Sequence, residues 1–382
     1  MSSQSIIPRA DSLSCFIFFA ASGAYYALFT SRLPAVKATA GVTDAEIGFG
    51  LLVLGVASVT GLLSCGALIR RFTSRRLLQV SVLGLLAAFP LAGVAPGALS
   101  LYAVMAWLGL MVAIWDVCMN TQALLLEIRT KGRYMGKMQA GYSFGCIGGA
   151  LLGSAFAKAG VGAFANYLFF AVTVFALWLF ASRHLHDDIT RHPGGGRRPR
   201  LPAFVWFCGL MEVFAFTTEG VVGDWGAIFL HSEKGAEEGL AALGFATCAT
   251  AMAFVRLTVD NLRGKIGDTR LVGLGGLVAA AGFVVAILAS SPYAVLFGFA
   301  LVGAGVAPVI PVVMSRAGSC PGVDPGAACS AVSTVGYGTL LVIPPVIGTM
   351  ADAVGFSAAF LVPLAAGILI VIGSLGLRTR KI

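Results

Sequence analysis

Asp116, Asn120 and Gln122 stand inside one apolar stretch of the chain, and Glu212 and Glu219 inside another. An Asp at the centre of a membrane helix costs about 2.5–3.5 kcal/mol on insertion scales, so each such acid calls for a task. Helical spacing puts Asp116 and Asn120 on one face, with Gln122 on a neighbouring face. A desolvated carboxyl there can gain and lose a proton, while the amides can hydrogen-bond a hydroxylated solute. The structural alternative is a carboxyl that pins its helix to its neighbours.

Glu212 and Glu219 are seven residues apart, two turns along one helix face. Gly220 and Gly223 loosen the helix before Asp224-Trp225, and discontinuous helices with acids near the midplane are typical of transporter binding sites. Glu212 is the stronger coupling candidate, Glu219 fits either role, and Asp224 reads as a solvated outer-gate residue. Glu127 reads as a helix-end charge able to pair with Arg129, Lys131 or Arg133. Tyr25 and Tyr26 are either cavity-lining aromatics or interface anchors. Arg32 is expected to snorkel.

Other chemistries find little support. Gly141-Tyr-Ser143-Phe-Gly145 matches the nucleophile-elbow pattern, but that pattern needs a strand-to-helix turn and this stretch opens an apolar helix. There is no Walker loop, zinc-protease motif, CxxC or Cys/His metal spacing, so no cofactor or metal is expected and the chain does not read as an enzyme. Of eight cysteines, seven lie within apolar runs and read as small hydrophobes.

The elements that must carry these residues follow from composition. Hydrophobic residues make up 58% of the 382 and charged residues only 11%, against roughly 25% in a soluble protein. Apolar runs of about 20 residues predict twelve spanning helices, at 13–33, 45–69, 77–95, 98–126, 136–159, 164–182, 201–223, 239–258, 271–290, 292–315, 327–350 and 355–377. With both termini on one side, alternation leaves only Arg32, Lys37, Lys158 and Lys234 of the 26 Lys and Arg on the other. That is the positive-inside rule, so the expected setting is the bacterial inner membrane with cytoplasmic N- and C-termini. The net charge of +9 therefore sets topology and does not point to nucleic acid.

The longest polar break, Arg183–Arg200, is rich in Gly, Pro and charge. It divides the chain into a six-helix bundle at 1–182, a cytoplasmic linker at 183–200 and a second bundle at 201–382. Gly141, Gly145, Gly149 and Gly153 form a stripe that lets another helix approach closely. Pro308, Pro311, Pro344 and Pro345 mark expected kinks in spans 10 and 11.

The loop after span 2 keeps Gly66, Leu68, Arg71, Arg75 and Arg76 of a Gly-acid-basic pattern, with Arg70 in the acid's place and Thr73 at the second Gly. Its counterpart after span 8 has Arg256, Asp260, Arg263 and Gly267. In these features the chain resembles the major facilitator superfamily, over essentially its whole length. A more specific resemblance, to the YbjJ/MosC-type branch and distantly to fucose–proton symporters, lies in three stretches. These are Trp115-Asp116 through Asn120-Thr-Gln122, Gln139-Ala-Gly-Tyr142-Ser-Phe-Gly, and Glu219 through Asp224-Trp225.

The resemblance implies an all-α fold of two pseudo-symmetric six-helix bundles, alternating access, and a monomer. It implies that the loop charges latch one conformation, with a plain charge anchor as the alternative; Arg256 and Asp260, four apart, can pair near the membrane edge. It also implies that span 5 lays its glycines against the opposite half, and that Gln139 and Tyr337 face the bundle. The expected function is proton-coupled uptake of a small polar solute, such as a sugar or polyol derivative. The alternatives are proton-coupled export of amphipathic compounds and a non-transporting membrane sensor.

Overall fold

The computed structural model describes residues 9–187, 201–241 and 243–378. Among them are twelve helices of 19 to 33 residues, long and apolar enough to cross a membrane, and no strand. They are α1 (Arg9–Ala40), α2 (Asp44–Phe72), α3 (Ser74–Ala92), α4 (Ala98–Thr130), α5 (Met135–Lys158) and α6 (Ala163–Ala181). The second six are α7 (Ala203–Ser232), α8 (Leu243–Ile266), α9 (Asp268–Leu288), α10 (Pro292–Gly318), α11 (Pro325–Val354) and α12 (Phe356–Leu377). Large apolar side chains stay uncovered along them. On α6 alone Leu168, Phe169, Val172, Phe175, Leu177, Leu179 and Phe180 are exposed, a surface suited to lipid and prone to aggregate in water.

Local chemistry sets the helix ends. Thr43 and Glu46 close a capping box on α2: Glu46 Oε2 accepts from the Thr43 N–H (2.8 Å), and Thr43 Oγ1 accepts from the Glu46 N–H (3.3 Å). Pro292 opens α10, where its missing N–H costs nothing. The kinks follow the prolines with one shift. α10 breaks at Ala307-Pro308, but α11 breaks at Gly338, between helical segments ending at Tyr337 and starting at Thr339. A proline ring clashes with the carbonyl four residues back, so Pro344 and Pro345 strain the turn upstream of themselves, and the break falls on the nearby glycine.

The chain forms two compact units. One comprises residues 1–134, 141–201 and 318–331; the other comprises 135–140, 202–317 and 332–382. In the first, α2 and α3 pack on α4, while α6 packs on α1 and α3. In the second, α8 and α9 pack on α10, while α12 packs on α7 and α9. The pattern therefore repeats with an offset of six helices. Each unit also has an aromatic knot. In the first, Phe89 stacks on Tyr167 (4.0 Å) and meets Tyr25 edge-on (4.8 Å). In the second, Phe229 stacks on Phe360 (4.4 Å), which meets Phe283 edge-on (6.1 Å).

Span 5 corrects one expectation. Cβ atoms added at Gly145 and Gly149 would collide with the carbonyl oxygens of Ala20 and Ala24, and those at Gly141 and Gly153 would meet Phe16 and Ser31. The glycine stripe thus lies against α1 of its own unit. Spacing shows that a helix comes close, not which one.

Two adjacent residues after α7 secure other helix ends in the second unit. The Glu233 carboxylate accepts from the N–H groups of Phe356 (2.5 Å) and Ser357 (3.1 Å) at the start of α12. Lys234 Nζ donates to the carbonyls of Ile287 (2.8 Å) and Ala289 (2.9 Å) at the end of α9. Each charge opposes the helix dipole it meets.

Candidate functional site

In the first unit, Asp116 is half-buried on α4, and Asn120 one turn on is 2% exposed. Asn120 Nδ2 donates to the Asp116 carbonyl (2.9 Å) and to its Oδ1 (3.4 Å). The pair is thus built as the spacing predicts, near the middle of a 33-residue helix. Tyr142 is half-buried on α5.

Gln122 belongs elsewhere. Its Nε2 donates to Ser74 Oγ (2.8 Å) and to the His186 carbonyl (2.9 Å), while its Oε1 accepts from the His186 N–H (2.8 Å). An amide expected to meet a solute instead clamps the segment that follows α6. Arg129 Nη1 donates to His186 Nδ1 (3.0 Å) and Nη2 to the Asp187 carbonyl (2.5 Å). Asp11 Oδ2 lies 3.4 Å from His186 Nε2, and Arg75 lies 3.5 Å from Asp187. The ends of α1, α3 and α4 therefore converge on the His186-Asp187 segment. Burial, then the Arg129 charge, holds its pKa below the ordinary value.

Tyr25 is also corrected. It is 3% exposed within the aromatic knot, neither lining a cavity nor anchoring at an interface. Arg32 does not snorkel: it is 6% exposed and donates to the Val161 carbonyl. Glu127 Oε1 accepts from the Tyr134 N–H (2.7 Å) just before α5.

In the second unit, Glu212 is 2% exposed on α7, packed so closely on α11 that a Cβ at Gly336 would lie 2.7 Å from its carboxyl carbon. Two turns on, Glu219 Oε2 lies 3.9 Å from Arg256 Nη2 of α8. Arg256 is 4% exposed and ten residues short of the end of α8, about 15 Å inside it. The expected loop residue is therefore an intrahelical cation facing an acid. The apolar window ends α8 too early because Arg256, Asp260 and Arg263 depress its hydropathy, yet all three are buried. Gln139 is 8% exposed in the same unit, and Tyr337 packs edge-on against Phe216 (5.4 Å).

The remaining loop-motif residues divide between the units. Asp260 accepts from the N–H groups of Gly136 and Lys137, both at 2.9 Å. Arg263 Nε donates to Asp268 Oδ1 (2.9 Å) and Nη2 to Ser315 Oγ (3.1 Å). In the first unit Gly66 faces Ser330, whose hydroxyl donates to the Leu62 carbonyl (2.6 Å). Arg71 lies over the Phe72 ring, and Arg76 is exposed. Thr73, at the second-Gly position, has φ +75° and ψ 149°; Gly267, its counterpart, has φ +79° and ψ 162°.

Sequence reasoning missed the docking of His186, whose signal was only a histidine within the polar break. It also missed the pairing of Glu219 with Arg256, because the two residues are distant in sequence.

The comparisons agree with this architecture. Over 361 residues the chain is 28% identical to the membrane protein MosC of Rhizobium meliloti, covering 93% of this chain and 87% of that one. It is 28% identical over 357 residues to an uncharacterized MFS-type transporter of Yersinia pestis, covering 92% and 91%. The structure superposes on that of FucP, a fucose:proton symporter of E. coli, with a TM-score of 0.80 at 16% identity, covering 98% and 99% of the two chains. It superposes on the proton:xylose symporter XylE with a TM-score of 0.74 at 14% identity, covering 96% and 95%. At such identities the likeness shows the fold alone. The profile of the Major Facilitator Superfamily matches residues 14–322. The chain is therefore a multi-pass membrane transporter, not an enzyme, and belongs to the Major Facilitator Superfamily.

Proposed function

We propose that the protein is a proton-coupled uptake transporter for a small polar solute such as a sugar or polyol derivative. The observation that carries this reading is the Glu219–Arg256 pair inside the membrane-spanning helices. Arg256 is buried and Glu219 half-buried, so losing the acid would leave a buried cation uncompensated, and such groups within spanning helices mark functional sites by default. Glu219 takes up a proton when a solute or a helix movement loosens Arg256 and releases it when the pair re-forms. Asp116 and Glu212 are the second and third proton candidates. Asn120 and Tyr142 are the solute-binding candidates of the first unit, and Gln139 and Tyr337 those of the second. The likeness in fold to the fucose:proton symporter FucP and the proton:xylose symporter XylE favours the same reading.

In this reading the bundles at 1–182 and 201–382 exchange access across the inner membrane about the linker at 183–200. The termini are cytoplasmic and the transporter acts as a monomer. Asp260 and the Arg71, Arg75, Arg76, Arg263 set serve as the conformational latch.

The test is solute accumulation in proteoliposomes under an imposed pH gradient, using a solute first identified by thermal stabilisation. Glu219→Gln is expected to retain binding and counterflow exchange while losing accumulation. Full accumulation by Glu219→Gln, Asp116→Asn and Glu212→Gln alike would remove proton coupling through these acids. Stabilisation by amphipathic cations alone would point to export instead.

A further inference from the structure

The corner where α2 turns into α3 collects four arginines within seven residues, Arg70, Arg71, Arg75 and Arg76. Arg75 is matched by Asp187 at 3.5 Å. Arg71 and Arg76 are exposed, and neither guanidinium forms an ion pair among the described residues. Arg71 suits the negative end of the α2 dipole, but Arg76 lies at the positive end of α3, whose first turn has no acid. The fold therefore leaves an excess of positive charge at this end of the two helices.

Each exposed arginine also heads an apolar row. Leu63 and Ala67 precede Arg71 by two turns and one on the same face of α2, and Val80 follows Arg76 by one turn on α3. Leu63 is 66% exposed and Val80 63%. Between the rows Phe72 is exposed, with the Arg71 guanidinium over its ring at 5.2 Å. The rows call for hydrocarbon chains, and the arginines select the head that comes with them. A soluble anion would leave the rows bare, and a zwitterionic head would bring its own cation towards the guanidinia. The matching corner of the second unit differs. Thr73 and Gly267 occupy the same place, so Lys265 and Arg270 stand where Arg71 and Arg76 do. There Asp268 puts an acid in the first turn of α9, and the exposed Asn261 interrupts the apolar row at the place of Ala67.

We propose that the α2–α3 corner is a docking surface for an anionic phospholipid, its phosphate attracted by Arg71 and Arg76 and its chains lying along Leu63, Ala67 and Val80. Clusters of basic residues just outside spanning helices recruit anionic headgroups in this way. The inference is independent of the solute and of proton coupling. The latch proposed above uses the same arginines in another conformation; in this one they are open to lipid.

The experiment titrates the full-length protein in neutral detergent with phosphatidylglycerol, with phosphatidylcholine of the same chains, and with inorganic phosphate. Binding is read by native mass spectrometry and by thermal stabilisation. Arg71→Gln and Arg76→Gln remove the charges one at a time, and Arg71→Lys with Arg76→Lys keeps them. Lys265→Gln with Arg270→Gln is the comparison at the other corner, and melting without lipid checks that each variant folds. Phosphatidylglycerol should bind the wild type more tightly than phosphatidylcholine, with about a five-fold loss for each arginine replaced by glutamine. The lysine pair and the second-corner pair should lose less. Equal binding of the two lipids by the wild type, or unchanged affinity in both glutamine variants, would mean annular lipid only and overturn the proposal. An equal loss in the second-corner pair would overturn it as diffuse attraction, and stabilisation by phosphate alone that matches the lipid's would overturn it as a simple anion site.

Discussion

The corner between α2 and α3 carries a conflict that a single substitution should relieve. Thr73 sits at φ +75° and ψ 149°, a region essentially reserved for glycine, and a β-branched residue is among the least suited to it. Such strain costs about 1–3 kcal/mol. Thr73→Gly removes it but gives up two things. The cap from Thr73 Oγ1 to the Arg76 N–H is long, at 3.4 Å, and exchanging a cap for glycine costs only a few tenths of a kcal/mol. Glycine also loses about 0.5–1 kcal/mol more backbone entropy on folding. The balance is stabilisation by about 1 kcal/mol. The reciprocal change, Gly267→Thr, enters open space, so its cost of about 2 kcal/mol is backbone strain alone. A third variant, Thr73→Ala, loses the cap and keeps most of the strain, so it should fall below wild type. Detergent melting curves of the three should therefore rank Thr73→Gly first and Gly267→Thr well below wild type. Thr73→Gly melting below wild type would refute the reasoning, because it would show the threonine contributing more than its backbone costs.

Three other outcomes are expected. Gly145→Ala should destabilise the protein by about 1–3 kcal/mol because its methyl meets the Ala20 carbonyl, whereas Gly148→Ala, facing no atom within 4 Å, should not; thermal melts of the pair separate packing from helix propensity. Glu233→Ala should cost about 1 kcal/mol and raise amide exchange at Phe356 and Ser357 in α12. The third concerns pH. The pKa of His186 is lowered in the folded chain, so its docking contributes stability above about pH 6.5 that is lost as pH falls through the depressed value. Protonation would set a cation against Arg129, with Asp11 and Asp187 offsetting it in part. The protection of the residue 185–187 amides, taken relative to the base-catalysed intrinsic exchange rate at each pH, should therefore fall between pH 7.5 and 5.5, and His186→Gln should flatten that fall.

The twelve spans were legible because each must carry enough apolar residues to cross lipid, whatever its neighbours. Where a span holds buried charge the same rule fails. α8 continues through Arg256, Asp260 and Arg263 because each finds a partner that hydropathy does not register. Asp116 and Asn120 could be placed together because their contact is local to one turn. Gln122 could not be placed, since its partners come from the start of α3 and the chain after α6. The α5 glycines illustrate the same limit: periodicity predicts a close approach, but the choice of α1 is tertiary. Tyr25 reads as amphipathic in sequence and turns out to be core because Phe89 and Tyr167 arrive from two other helices. Helical spacing specifies faces, and functional assignments need to know what each face meets.

The Glu233-Lys234 dipeptide bears on how the protein can be labelled. A reporter inserted there would separate two charges that hold the start of α12 and the end of α9, so a tag meant to be silent would fray two helices remote in sequence. The turn after α5 is similarly committed, because Val161 receives the Arg32 guanidinium. Gly41, between α1 and α2, has a left-handed φ of +65° and no atom near its missing side chain. An insertion there would still break the bond from the Val42 N–H to the Lys37 carbonyl (3.3 Å) that closes α1, so each of the three turns fastens a helix.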